Sequence, residues 1–231
     1  KADMLEDLLQ LRQDLAALRI KPSAMLQKMR MLNQISDNFE KLKEKIYEKL
    51  CKLAVDEFEL AFPQADWGYG WTHGAKKVHR EQLPYQGQIA GTAQMHLARR
   101  EVESVQIVLR SRKKIDEVKV QVGELKNLEN GMVLPPGQIE TMLVGYVKTL
   151  PAPYRVEPAT WRPDPLLSFM DSFSLDAEVW QPVWIDVTAK EDTQPGTYQG
   201  HISVSGRQAA ELKIPFSVTV WDFALPLRSK Q

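Results

Sequence analysis

The sequence predicts an all-β antiparallel sandwich of the Ig-like type, with an α-helical hairpin at its N-terminus. Before about residue 62, apolar residues recur every three or four positions, which is the period of an amphipathic helix. After that point apolar and polar residues alternate, and at least six β-branched or aromatic segments follow one another without a helical segment between them. We therefore expect residues 1–62 to form a helical hairpin or coiled-coil-like segment and residues 63–231 to form a β-sandwich domain.

The helical region divides at the sequence KPSAM, residues 21–25. Proline is tolerated in the first turn of a helix but not inside one, so Pro22 marks the start of a second helix, with Ser23 as an alternative cap. We interpret the apolar stripe as two helices packed on each other or on the rest of the protein, in preference to an oligomerising coiled coil. The stripe consists of Leu8, Leu11, Leu15 and Leu18, then Met25, Met29, Leu32, Ile35, Phe39, Leu42, Ile46, Leu50 and Leu53.

The predicted strands lie in SVQIVLR, DEVKVQV, ETMLVGYVKT, PVWIDVTA, TYQGHISVSG and ELKIPFSVTVW. The alternation predicts one buried face for each of the late strands. These faces are formed by Val183, Ile185 and Val187, and by Leu212, Ile214, Phe216, Val218 and Val220. In QPGTYQG, Pro195 and Gly196 fit a type II turn, so we expect the strands on either side to pair as a hairpin.

Composition argues against several classes of partner. The 231 residues include 30 basic and 30 acidic side chains, so no global field attracts nucleic acid or an anionic membrane. No apolar run reaches the roughly 18 residues that span a bilayer. The single cysteine, Cys51, cannot form an intramolecular disulfide, and the start at Lys1 rather than Met suggests a processed or trimmed product.

Candidate catalytic chemistry is sparse. Glu101 and Glu103 lie two apart and share a predicted strand face, as a carboxylate pair requires, but the adjacent Arg99 and Arg100 favour a salt-bridged strand entry. The sequence also lacks phosphate-binding, dinucleotide-binding and nucleophile-elbow motifs. We therefore predict no catalytic residue, no metal and no cofactor. Metal-ligand spacing is absent among the histidines, which are His73, His79, His96 and His201.

The sequence DWGYGWTHG contains three aromatic residues, Trp67, Tyr69 and Trp71. Aromatic rings suit the apolar faces of pyranose sugars, so the three side chains are candidates for carbohydrate binding. They are equally candidates for a buried aromatic plug between the helices and the sandwich, which is the interpretation we prefer.

A second candidate site lies in PATWRPDPLLSF, residues 158–169. Its three prolines interrupt helices and sheet ladders, so we expect a stiff loop that carries Trp161, Arg162 and Asp164. These three residues are candidates for a carbohydrate site or for a contact with another domain. The simplest structural interpretation is an Arg162–Asp164 pair that stiffens the turn, with Trp161 packed beside it.

Five segments, in this order, resemble the N-terminal β-sandwich of glycoside hydrolase family 123 and its relatives, over roughly residues 67–226. They are HLARREVESVQIVLRS, VGYVKT, WRPDPLL, QPVWIDVTAKEDTQPGTYQGHISVSG and KIPFSVTVWDFALP. In that family the sandwich precedes a (β/α)8 barrel with a catalytic Asp–Glu pair. The barrel hydrolyses β-linked N-acetylgalactosamine with the help of the substrate's own acetamido group.

The resemblance implies a non-catalytic accessory domain of a bacterial glycoside hydrolase-like protein. Such a domain packs against or completes a (β/α)8 barrel that these residues do not include, and Trp161, Arg162 and Asp164 are expected to face that barrel. Glycans are further expected partners, and the family suggests a periplasmic or secreted protein. Two alternatives stay open: an autonomous carbohydrate-binding module, and a structural or assembly module.

Overall fold

The computed structural model describes residues 2–17, 25–80, 84–150 and 161–227. These residues fall into two compact units, which we describe separately. The first contains the helical residues up to Leu53 together with Pro84, and the second contains the remaining described residues from Ala54 onward. Helix α1 spans Ala2–Ala17 and helix α2 spans Met25–Ala61. Neither helix combines the length and apolar content that a membrane-spanning helix needs.

In the first unit, α1 contacts α2. Lys45 Nζ donates a hydrogen bond of 2.9 Å to Asp7 Oδ2, and Leu42 is buried near this contact. Residues 18–24, with the predicted break at Pro22, lie outside the described residues, so the helical hairpin stays a prediction.

Most of the apolar stripe on these helices is exposed. Leu50 and Leu53 are 42% and 61% exposed, and further exposed members are Leu8, Leu15, Met29, Leu32 and Phe39. Helices α1 and α2 therefore do not bury the whole stripe against each other, and its packing on the rest of the protein stays a prediction. Two helices in contact bury one narrow face of each, and this stripe is wider than the face that α1 and α2 share.

The described residues of the second unit form twelve strands in two sheets. The first sheet has the order β2-β1-β4-β10-β7-β8 and the second has the order β3-β12-β11-β5-β9, with β6 paired to β11. The strands of the first sheet are β1 (Trp67–His73), β2 (Gln88–Ile89), β4 (Glu101–Ser111), β7 (Ile139–Lys148), β8 (Trp161–Leu167) and β10 (Gln181–Ala189). Those of the second are β3 (Ala93–Arg99), β5 (Ile115–Val122), β6 (Lys126–Asn127), β9 (Phe173–Leu175), β11 (Gly196–Gly206) and β12 (Ala209–Ala224).

The core lies between the two sheets and follows the predicted alternation. Val183, Ile185 and Val187 point inward from β10, and each is at most 2% exposed. The same holds for Ile214, Phe216, Val218 and Val220 of β12, with Leu212 half-buried beside them. The predicted all-β sandwich is confirmed, and all six predicted segments lie on strands.

Two predictions of strand pairing need correction. The strands that flank Pro195 and Gly196 are β10 and β11, which lie in different sheets, so they do not form a hairpin. Turn residues such as Pro and Gly show where the chain changes direction. Which strand the next segment pairs with depends on how the two sheets bury their apolar faces against each other. In addition, β3 pairs with β12 in the parallel sense within an otherwise antiparallel sandwich.

The segment around Trp161 is a strand and not the predicted loop. β8 pairs with β7 from Leu167 to Trp161, with an irregularity opposite Val144 and Tyr146. It is the last strand in the order of the first sheet, so among the described residues no strand bonds to one of its sides. Proline is tolerated at such an edge because a missing N–H there breaks no ladder bond.

Candidate functional site

Aromatic side chains form an exposed patch at the end of β12. Since Val218 and Val220 point into the core, Trp221 and Phe223 lie on the outer face of the second sheet, and they are 45% and 50% exposed. The ring of Trp221 stacks with that of Phe223 at 5.6 Å between centroids, and with that of His96 on β3 at 6.3 Å. We call His96, Trp221, Phe223 and the adjacent Leu225 the C-terminal aromatic patch.

The backbone beside this patch is fixed by two arginines. Leu225 N–H donates to the carbonyl of Arg99 at 2.9 Å, and the guanidinium of Arg100 donates to the carbonyl of Leu225 at 3.3 Å. Arg100 has a positive φ of 64° and turns the chain from β3 into β4. The residues that leave β12 are therefore held against the turn between the two sheets.

Ion pairs surround the patch. Arg99 contacts Asp222 at 3.4 Å, and Arg100 pairs with Glu191, whose pKa is lowered by a hydrogen bond from that guanidinium and by its charge. The predicted salt-bridged strand entry is thus present, but its acids are Asp222 and Glu191. Glu101 instead accepts a hydrogen bond of 2.6 Å from the backbone N–H of Ala98.

The sequence-predicted residues around Trp161 lie on β8. Trp161 is 38% exposed, and Lys148 Nζ is 5.9 Å from the centroid of its ring. Arg162 is half-buried and Asp164 is exposed, and the contact predicted between them stays a prediction. Arg162 lies close enough to His79 to contribute to a lowered pKa of that imidazole, whose main cause is burial. We call Trp161, Arg162, Asp164, Lys148 and His79 the Trp161 corner.

The strand registers place the two surfaces at opposite ends of the sandwich. On β4, Glu101 pairs with Ala189 and Leu109 pairs with Gln181. The aromatic patch adjoins the Glu101 end, whereas Lys148 and Trp161 lie beyond the level of Leu109. β4 has 11 residues, and at about 3.3 Å per residue the two ends are on the order of 30 Å apart.

The three aromatic residues of DWGYGWTHG belong to the core. Trp67, Tyr69 and Trp71 are 1%, 8% and 7% exposed, and the Trp67 indole N–H donates to the carbonyl of Ala210 at 2.8 Å. Tyr69 also contacts Phe62, just after α2, at 5.5 Å between ring centroids. These side chains have no face that a sugar in solution reaches.

The sequence interpretation missed the aromatic patch, although one signal was available. In KIPFSVTVWDFALP the apolar residues occupy every second position up to Val220, and the next two aromatic residues fall on the opposite face. Large aromatic side chains on the polar face of an amphipathic strand are a sign of a contact surface.

The architecture is that of a two-sheet β-sandwich whose exposed aromatic residues lie where the last strand leaves the fold. The sequence model of the Glycoside hydrolase 123 N-terminal domain matches residues 79–206, which is more than half of the chain. The chain therefore belongs to the family of glycoside hydrolase 123 N-terminal domains, as the resemblance implied.

One solved structure agrees with this assignment at the level of the fold. A family 123 glycoside hydrolase from Clostridium perfringens, studied for glycolipid glycan hydrolysis, aligns with a TM-score of 0.53 and 16% identity. The alignment covers 69% of this chain and 28% of that chain, so the present chain spans less than a third of that enzyme. No curated protein sequence matches the chain.

Two further structures are less similar, and their TM-scores are too low to support an argument. The periplasmic chaperone SfaE aligns with a TM-score of 0.30 and 10% identity, over 59% of this chain and 58% of its own. AvmM, which catalyses macrocyclization in alchivemycin A biosynthesis, aligns with a TM-score of 0.35 and 7% identity, over 72% of this chain and 93% of its own.

Proposed function

We propose that the chain is the non-catalytic accessory domain of an N-acetyl-β-galactosaminidase-like protein, and that it packs against or completes a (β/α)8 catalytic barrel. The family assignment supports a partner domain that carries the chemistry. The sugar specificity rests on the resemblance alone. None of the described residues forms such a barrel, so the barrel belongs to a part of the protein outside them.

The observation that carries this proposal is the C-terminal aromatic patch. Aromatic residues are enriched in protein interfaces, where they bury a large area at a low entropic cost. The ion pairs of Arg99 and Arg100 lie around the patch, so they form a polar rim that keeps part of its hydration after docking. Covering Trp221 and Phe223 removes apolar surface from water without burying an unpaired charge.

The hydrogen bonds of Leu225 add a geometric argument. Because Arg99 and Arg100 hold the backbone at Leu225, a domain that follows β12 starts from a fixed position beside the patch. An anchored connection raises the effective concentration of a partner domain, so a modest patch is sufficient for docking. The Trp161 corner lies at the far end of the sandwich, and we assign it no role in this contact.

The test uses the polypeptide encoded after Gln231, produced separately and titrated against this chain by calorimetry. We expect saturable binding that weakens at least tenfold in Trp221→Ala, since that change removes the central ring of the patch. Trp161→Ala is the matched control and should bind as the wild type does. A reading frame that encodes no further domain, or equal effects of the two variants, would contradict the proposal.

A second candidate function is an autonomous carbohydrate-binding module. The partly exposed ring of Trp161 beside Lys148 favours it, because an accessible aromatic surface next to a hydrogen-bond donor suits the apolar face and hydroxyl groups of a sugar. The two candidates are separated by sugar titration of the isolated chain.

A further inference from the structure

One side of α2 carries apolar residues at a strict spacing of seven. Leu32, Phe39, Ile46 and Leu53 follow one another in this register, and Met29 and Leu50 flank them. Leu32 is 53% exposed, Phe39 is 52% exposed and Leu53 is 61% exposed, while Ile46 is half-buried. We call these six residues the α2 stripe. We propose that the α2 stripe binds the same stripe of a second copy of this chain.

The spacing defines the class of partner. A residue repeated every seven positions returns to nearly the same side of a helix, and two helices with this repeat wind around each other with a slight left-handed supercoil. Three consecutive heptads, from Leu32 to Leu53, give the stripe the repeat that a second helix needs for such a contact.

The charges of α2 favour a copy of itself as that helix. The helix has seven basic and seven acidic residues, so it offers no net charge by which a different partner would be selected. Two lysines next to the stripe are already paired within the chain, Lys43 with Glu40 at 3.0 Å and Lys45 with Asp7 at 2.9 Å. These two lysines thus add little repulsion when two copies approach.

The area agrees with a dimer. Each half-exposed side chain of the α2 stripe leaves on the order of 100 Å² open, so two stripes bury on the order of 1,000 Å² before the flanking polar side chains are counted. Specific interfaces begin at about 1,200 Å², which the flanking stems of Lys43 and Lys52 bring within reach.

The experiment is sedimentation or light-scattering mass of the full chain at micromolar concentration. We expect twice the 26.4 kDa of the single chain, and a return to 26.4 kDa in Phe39→Lys and Leu53→Lys. Both side chains are exposed in the single chain, so thermal unfolding should show that each variant still folds. Leu128→Lys is the control, because Leu128 is 62% exposed but lies in the sandwich unit, and it should leave the mass doubled.

Three results would overturn the proposal. The first is a wild-type chain of single mass at every concentration up to about 100 μM, and the second is a doubled mass that Phe39→Lys and Leu53→Lys leave unchanged. The third is binding of this chain to the polypeptide encoded after Gln231 that is lost in Phe39→Lys. That result would mean that the α2 stripe binds another domain and not a second copy of this chain. None of these outcomes depends on Trp221, so the docking proposal for the aromatic patch is tested independently.

Discussion

At the scale of single residues, two glycines of β1 allow neighbouring aromatic side chains to pack on the outer face of that strand. Gly68 and Gly70 alternate with the inward-pointing aromatic residues of β1, so their Cα atoms face outward. A Cβ on Gly68 would overlap the ring of Phe62, and one on Gly70 would overlap the hydroxyl of Tyr85. The absent side chains therefore make room for two aromatic rings to lie directly on the strand.

We expect Gly68→Ala to destabilise the fold by about 1–3 kcal/mol, because its methyl group forces the Phe62 ring out of its packed position. Denaturant unfolding measures the loss. Gly137→Ala is the control, since no heavy atom beyond its chain neighbours lies within 4 Å of its Cβ position, and it should be nearly neutral. Adding Phe62→Ala should remove most of the cost of Gly68→Ala, and strict additivity of the two changes would disprove the overlap.

His79 gives the fold a pH dependence of defined sign. Burial and the nearby charges of Arg162 and Lys77 lower the pKa of its imidazole below 6.5. Below pH 6.5 the unfolded chain binds a proton at His79 that the folded chain does not bind. The contribution of the neutral imidazole to the free energy of unfolding is therefore fully present above pH 6.5, and it is lost as the pH falls toward the pKa of the folded chain. We expect His79→Gln to reduce the change of Tm with pH between pH 6.5 and 5.

At the scale of elements, the last two turns of α2 belong to the sandwich unit. Phe58 is fully buried and contacts Trp180 edge-on at 5.8 Å between ring centroids, in a cluster with Ala54, Val78 and Val108. Arg112 fixes the end of the helix by pairing with Glu59 and donating to the carbonyl of Phe62 at 2.7 Å. The division into units falls at Leu53, whereas the domain boundary predicted at residue 62 stays a prediction.

Phe58→Ala should therefore cost about 3–5 kcal/mol, the range for a buried phenylalanine whose cavity cannot collapse. Phe223→Ala is the matched control, because the same side chain is 50% exposed there, and we expect about 1 kcal/mol or less. Both values come from chemical denaturation of the isolated chain. Similar losses for the two variants would mean that the α2 end is not packed as described.

The sequence could predict strands better than their partners. Alternation identified β10 and β12 because one face of each is buried between the sheets. The prediction did not include β1, because Gly68 and Gly70 were interpreted as interruptions of regular structure. The aromatic residues Trp67, Tyr69 and Trp71 nevertheless have the same period of two. The prediction also read Pro163 and Pro165 as a loop, because a local rule about proline does not show that β8 is an edge strand.

At the scale of the whole molecule, the order of five segments predicted the family, and the family model confirms it. The candidate sites were less predictable. Whether Trp67 faces the core and Trp221 faces solvent depends on which sheet covers each strand, and that is a property of the complete sandwich. The alternation of β12 places Trp221 and Phe223 on its outer face, but the position of His96 beside them follows only from the register with β3.

The Trp161 corner gives a test of the carbohydrate-binding alternative. We expect no saturable binding of N-acetylgalactosamine, or of oligosaccharides that contain it, at sub-millimolar concentration. One half-exposed ring and a few polar groups offer too little preorganised contact to offset the ordering of a sugar. Titration of wild type against Trp161→Ala measures this. Tight binding that disappears in the variant would favour a carbohydrate-binding module.

The parallel pairing of β3 with β12 has a consequence for biosynthesis. Ala93 pairs with Phe216, so about 120 residues must leave the ribosome after β3 before its partner exists. At about 5–20 residues per second this interval lasts roughly 6–24 s. During that time β3 has a free edge, which is a template for pairing with other nascent chains. The second sheet of the sandwich is thus complete only after β12 has been synthesised and has inserted between β3 and β11.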